Sequence, residues 1–345
     1  MLHDTPKARF FVGIDIASET FHATLASGPQ EVEAGPVCFA NELEGFDHLA
    51  AWLHVQGVHP AETLACMEAT GVYSEALCYF LHERGYRVAV EDPLRIKRAF
   101  KTSTNKTDPA DSRQIAAYAA RYLDELRFWR PSAAIVEQVK ILLSMREQLV
   151  REKGAKRNAL HVLKRKAVET PAANRLAQEM IAYLESQIQQ IEAEVKRLLR
   201  AHPTLSQTVT LLTSVPGVGL LLAAHLLVVT EGFEREVTAR QLSAYIGLCP
   251  YEHVSGTSVK RRAESRSYGP PMLRKLLYLA ALTVKHRTRR FEQYYLRKRA
   301  EGKPARLVLN NIANKLVRII CAVLRDRQPY YERHRSINPA LLQST

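Results

Sequence analysis

Phe10-Phe11-Val12-Gly13-Ile14-Asp15-Ile16 is the stretch that decides the fold. Aromatic and β-branched residues crowd it, and both favour extended chain in a half-buried sheet. Thr20–Ala26 follows with period-two alternation, and Val37–Ala40 reads as a short third strand. Leu43–Val55 carries helical periodicity, Thr63–Met67 reads as a buried strand, Tyr73–Glu83 as a helix and Tyr86–Val90 as another strand. Strands alternating with helices after an initial run of strands predict an α/β domain with a mixed central sheet.

Beyond this domain the pattern becomes helical. Residues 133–166 form a long basic helical stretch, ended before Pro171. Ala177, Ile181, Leu184, Ile188, Ile191, Val195 and Leu198 then recur at alternating spacings of four and three. That spacing keeps one apolar seam on a helix, so a coiled-coil pairing with a second chain is expected, with an ordinary amphipathic helix as the alternative. Leu211–Val228 holds Val215-Pro216-Gly217-Val218-Gly219 between apolar runs, and Gln241–Leu248 reads as a short helix. His253–Pro271 is polar and rich in Ser and Gly, hence loop-like, while Met272–His286 and Leu307–Arg325 are amphipathic helices.

Composition bounds the function. A chain of 345 residues predicts two or three domains, and a hydrophobic share of 46% excludes wholesale disorder. No apolar run is expected to reach the roughly 18 to 20 residues that span a bilayer, and the polar Met1–Arg9 does not read as a signal peptide. Cys38, Cys66, Cys78, Cys249 and Cys321 make no CxxC pair, so they read as reduced thiols of a cytoplasmic protein. Charge is concentrated: Ser255–Arg335 holds 21 Lys and Arg against 5 Asp and Glu, a local net of +16 in a chain of net +14. Such a block, interleaved with tyrosines that could stack on bases, points to nucleic acid over a merely solvated surface.

Four acids suggest chemistry. Asp15 and Glu68 each end an apolar strand, where a carboxylate is costly unless solvated or paired. Asp108 and Asp111 lie one helical turn apart, with Pro109 suited to a first turn; alone they read equally as an N-cap and a dipole-favoured acid. If all four converge, their mutual repulsion calls for divalent cations, and hard oxygen donors favour Mg²⁺ or Mn²⁺. Two such ions can stabilise the attacking and leaving oxygens of phosphoryl transfer.

Gly13-Ile14-Asp15, Glu68-Ala69-Thr70-Gly71 and Asn105-Lys106-Thr107-Asp108-Pro109-Ala110-Asp111 together resemble the DEDD set of the insertion-sequence 110 transposases, a family that includes the Piv-type DNA invertases. The likeness runs through nearly the whole chain. It implies a RuvC-like, ribonuclease-H-type N-terminal domain over 8–165, a coiled-coil helix over 172–202, and a mainly α transposase domain over 205–335. It also implies Mg²⁺ (or Mn²⁺) at Asp15, Glu68, Asp108 and Asp111. Ser214-Val215-Pro216-Gly217-Val218-Gly219 is similar to a helix-hairpin-helix turn, in which Gly217 and Gly219 would let amides approach a DNA phosphate. Ser255-Gly256-Thr257-Ser258-Val259 is similar to the family's transposase signature, whose serine before the glycine, here Ser255, is the nucleophile. After Val259 the sequence departs from the family's usual look, with Lys260-Arg261-Arg262-Ala263-Glu264-Ser265 and then Pro270-Pro271 before Met272.

The resemblance thus implies a transposase that cuts and rejoins donor and target DNA through a covalent phosphoserine, guided by a structured bridge RNA, in a dimer or tetramer whose acids and serine form one composite site. Lys260, Arg261, Arg262, Arg266, Arg274, Arg289 and Arg290 are the expected nucleic-acid contacts. The alternatives are a Piv-like site-specific invertase, a metal-only nuclease of the Holliday-junction resolvase kind that needs no Ser255, and a non-catalytic DNA-binding protein.

Overall fold

The computed structural model describes residues 8–69, 71–100, 108–233, 237–255, 259–265 and 269–332; for 108, 109, 250–255 and 259–265 only the backbone is described. The chain divides after Pro131 into two compact units.

The first unit is built on a five-stranded sheet in the order β3-β2-β1-β4-β5. β1 (Phe10–Ile16), β2 (Thr20–Ala26) and β3 (Val32–Ala40) form an antiparallel meander. α1 (Leu43–Val55) leads to β4 (Thr63–Glu68), which lies parallel to β1, and α2 (Glu75–Glu83) leads to β5 (Arg87–Glu91), parallel to β4. The expected mixed sheet is present. The third strand, however, starts at Val32 and not at Val37. Gly35-Pro36 lies within it; β3 is an edge strand, where proline is tolerated, and register shifts near Ala23 and Leu25 absorb the irregularity.

Strand alternation sorts the two faces. Val12, Ile14 and Ile16 of β1, with Ala65 and Met67 of β4, pack against Leu49 and Leu53 of α1 and Leu77 and Leu81 of α2. Phe11, Leu64, Cys66 and Ala89 point the other way. There α3 (Pro93–Ala99) and α4 (Asp108–Arg121) cover the sheet with Ile96, Ile115, Tyr118 and Ala119.

Gly13 sets how closely α4 can approach. A Cβ at Gly13 would lie 2.2 Å from both the Ala116 nitrogen and the Ser112 carbonyl oxygen. Helix backbone therefore rests directly on strand backbone, and the buried hydroxyls of Thr24 and Ser112, 2.8 Å apart, tie α4 to β2 as well. Gly13→Ala must push α4 off the sheet, and we expect a loss of about 3 kcal/mol, the upper part of the overpacking range. Urea unfolding measures it; an unchanged midpoint would mean that α4 is not seated as described.

The second unit opens with a helical hairpin, α5 (Ala134–Leu163) and α6 (Pro171–Ala201). The heptad seam of α6 is real, since Leu184, Ile188, Ile191 and Val195 are buried. Within the chain, part of this seam packs against α5, as the alternative of an ordinary amphipathic helix expects. Val139 and Leu143 of α5 share a core with Ile191 and Val195, and ion pairs Arg146–Glu192 (2.6 Å) and Arg157–Glu185 (2.6 Å) flank the contact.

α7 (Pro203–Ser214), α8 (Leu220–Val229) and α9 (Ala239–Ile246) follow. Next come β6 (Pro250–Ser255) and β7 (Val259–Ser265), then α10 (Pro271–Arg287), α11 (Arg289–Ala300) and α12 (Ala305–Asp326). The expected polar loop after His253 is thus corrected: β6 and β7 pair antiparallel, from Pro250 opposite Ser265 to Ser255 opposite Val259. The expectation about apolar length is also corrected. α12 is long and apolar enough to cross a bilayer, with a mean hydropathy of 1.6 over its most apolar window. Val308, Ile312, Leu316, Ile320 and Val323 nevertheless bury one side of it in the core of this unit, against Leu273 and Leu277 of α10.

A buried histidine gives this core a pH dependence. Burial, and then the nearby Arg146 cation, push His225 of α8 down to about 4, so Glu147, 3.7 Å from its Nε2, faces a neutral ring near pH 7. The unfolded histidine takes its proton near pH 6.5. Between these values the unfolded chain binds more protons, so stability falls as pH drops. The expected loss is about 2 kcal/mol from pH 7 to pH 5. Urea midpoints at the two pH values should differ less in His225→Leu than in the native chain; equal losses would assign the acid sensitivity elsewhere.

Candidate functional site

Ile14 and Met67 are partners in the parallel β1–β4 pair. The next residue on each strand, Asp15 and Glu68, therefore stands at the same carboxyl end of the sheet. By alternation from Phe11 and Gly13, and from Leu64 and Cys66, both acids belong to the face that α4 covers. Both are half-buried.

α4 brings its first turn to that end. Ser112 meets Gly13 and Thr24, while Ile115 and Ala119, further along the helix, pack with Phe11 near the start of β1. The helix thus runs back along β1, and its amino-terminal residues lie toward Asp15. Asp111 is half-buried there; Asp108 begins the helix, and its carboxylate lies outside the described side chains, as do Asn105, Lys106 and Thr107 altogether. Among the described residues no group of three or more His, Cys, Asp or Glu side chains is close enough to hold a metal ion. The donors available at this end are nevertheless carboxylate oxygens, the chemistry that suits Mg²⁺ or Mn²⁺.

Sequence reading missed Glu91. It is the register partner of Glu68 on β5 and is 8% exposed. Its Oε2 accepts from Arg95 Nη1 at 2.9 Å and from the Tyr118 hydroxyl at 3.4 Å, and its Oε1 accepts from the Asp92 amide at 2.9 Å. Burial, and then the Glu91 charge, raise the Tyr118 phenol to about 12, so it stays a donor. Glu91 therefore ties α3 and α4 to the sheet edge beside Glu68. The signal that marked Asp15 and Glu68, an acid ending an apolar strand, was present here too. His22, paired with Asp15 across β1 and β2, was likewise passed over.

In the second unit Ser255 is the last residue of β6, immediately before residues 256–258, which lie outside the described set together with Ser258. Lys260 stands opposite Val254, and Arg261 opposite His253, with Arg262 next on β7. Arg266 lies outside the described residues. Arg274, in the first turn of α10, donates to the Gly269 carbonyl at 3.4 Å, and Arg289 and Arg290 open α11, exposed. Gly217 has φ +82°, and a Cβ there would sit 2.9 Å from both the Ala280 carbonyl oxygen and Val284 Cγ1 of α10. A tight turn packed on α10 accounts for this glycine without a phosphate. Gly219 caps α8 in open space.

Two family models match the chain. A transposase model of the IS110 DEDD type covers residues 12–165, and a model described as Transposase IS116/IS110/IS902 family covers residues 209–296. The chain belongs to the IS110 transposase family. This IS110-family chain is 27% identical over 333 residues to the pilin gene-inverting protein of Moraxella lacunata, covering 94% of this chain and 99% of that protein. It is 28% identical to the transposase for insertion sequence element IS1111A of Coxiella burnetii, over 69% of this chain and 71% of that one. Among solved structures, Thermus thermophilus RuvC in complex with a Holliday junction substrate matches at 12% identity with a TM-score of 0.25, covering 35% of this chain and 99% of that chain.

Proposed function

We propose that this chain breaks and rejoins DNA strands by serine attack, with Asp15, Glu68, Asp108 and Asp111 as the holders of Mg²⁺ or Mn²⁺ and Ser255 as the nucleophile. One observation carries the reading: alternation along β1 and β4 turns Asp15 and Glu68 to the face on which the acid-bearing end of α4 lies. The sheet order supports the ribonuclease-H-type reading of the first unit. The divalent ion supplies charge neutralisation at the scissile phosphate.

In the proposed step Ser255 Oγ attacks phosphorus and loses its proton. A serine–phosphate bond forms as a phosphate–deoxyribose bond breaks, and the departing DNA oxygen takes up a proton as a hydroxyl. A hydroxyl on another strand reverses the step, regenerating the serine. The energy of the phosphodiester is conserved, so exchange needs no nucleotide cofactor. The substrates are donor and target DNA; a structured bridge RNA and a composite site shared between subunits are proposed from the family likeness alone. An invertase that recombines two sites on one molecule is the second reading, favoured by the full-length likeness to the pilin gene-inverting protein.

The test is a DNA substrate nicked so that rejoining cannot occur. A protein–DNA adduct mapped to Ser255 by peptide mass spectrometry is the expected result, whereas cleavage with free ends throughout would favour a metal-only nuclease.

A further inference from the structure

α11 carries Arg290, Tyr294 and Arg297 at spacings of four and three, hence on one helical face. α12 adds Lys315 and Arg318 one turn apart, both exposed. The helices meet over aromatic rings: Lys315 Nζ stands 4.8 Å from the Tyr294 centroid, Arg297 Cζ 5.7 Å from the same ring, and Lys285 Nζ of α10 4.2 Å from the Tyr295 centroid. Arg290, Arg297, Lys315 and Arg318 thus gather across α11 and α12, and Lys285 of α10 stands over the neighbouring ring. Among the described residues none of the five has a carboxylate within 4.0 Å, whereas Lys298 on the same helix is neutralised by Glu301 at 2.7 Å. Burial, then Arg318, Arg290, Arg297 and Lys298, hold the Lys315 ammonium below its usual range. Folding has gathered like charges and left them uncompensated, the signature of a surface that meets an anion from outside.

The rings narrow the choice of anion. Tyr294 and Tyr295 are half-buried against the core of this unit, and the chain's own cations stand over them. These two rings are therefore not free platforms for unstacked bases. What remains is a track of charged donors suited to a sugar–phosphate backbone whose bases stay paired.

We propose that Lys285, Arg290, Arg297, Lys315 and Arg318 form a clamp on the phosphates of duplex DNA, outside the strands undergoing exchange. The clamp rests on the recombinase reading and adds where the duplex is held.

The test uses the full chain and a fluorescein-labelled duplex of arbitrary sequence, with anisotropy followed across KCl concentration. Each phosphate that the protein ceases to neutralise takes about 0.9 off the slope of log affinity against log salt. Arg290→Gln/Lys315→Gln/Arg318→Gln should therefore flatten the slope by about 2 to 3 and weaken binding at least about tenfold. Lys315→Arg should keep the native slope, separating charge from folding. An unchanged slope in the triple variant, with the native chain still binding, overturns the clamp alone. Flattening on a stem-loop RNA but not on duplex DNA overturns it too, and assigns the patch to RNA. A native chain that ignores duplex DNA overturns both the clamp and the recombinase reading.

Discussion

Ser255→Ala is expected to abolish strand exchange, by on the order of a thousandfold or more, since a nucleophile has no partial substitute. The variant should still bind DNA with the native salt dependence, because the clamp on α10, α11 and α12 does not involve the β6–β7 hairpin. Ser255 ends β6 and is held in register by Val259, so a methyl in place of the hydroxyl leaves the ribbon's backbone pairing intact. Ser258→Ala should be mild by comparison. The readout is the covalent adduct on a nicked substrate together with rejoined product from an intact one. An adduct on Ser258, or exchange at the native rate by Ser255→Ala, would show that the hydroxyl at position 255 is not the attacking group.

The second large effect is at the other end of the chemistry. Asp15→Asn should cut strand cleavage by on the order of a thousandfold, a loss typical of removing one electrostatic stabiliser. The same variant should still fold without metal, because Asn matches Asp in size and keeps an oxygen that can accept a hydrogen bond. What it should lose is the response to divalent ions. A metal at one hundred times its dissociation constant stabilises the folded state by about 2.7 kcal/mol. Melts with and without Mn²⁺ should therefore separate for the native chain and coincide for Asp15→Asn. Equal shifts in both proteins would remove Asp15 from the metal site.

Legibility in the sequence followed apolar pattern. β1, β2 and α1 begin and end where periodicity put them, because burial on a defined face dictates both the residues and their spacing. α10 and α12 were legible for the same reason. The β6–β7 hairpin was not: Lys260-Arg261-Arg262-Ala263-Glu264 offers no apolar alternation, so its strands announce themselves only through backbone pairing. The α6 seam was legible as a stripe but not as a contact, since heptad spacing is blind to whether the covering helix belongs to the same chain. At this end of the sheet, strand-end position marked Asp15 and Glu68 as candidates yet passed over Glu91, whose role depends on Arg95 and Tyr118 arriving from α3 and α4. Gly13 looked like one letter of a motif; that a helix backbone rests on it is visible only in three dimensions.

The seating of α4 on Gly13 also fixes the order of events during synthesis. The Thr24–Ser112 bond joins residues 88 positions apart, and β1 emerges from the ribosome long before α4. Asp15 and Glu68 can be aligned as soon as β1 and β4 pair, but the first turn of α4, which carries Asp108 and Asp111 in its sequence, reaches that end of the sheet only when α4 docks, and Ser255 is made later still. A nascent chain or one stopped before residue 255 therefore holds at most part of the proposed reacting set. On the proposed chemistry, strand exchange is withheld from any product that stops before β6 is complete.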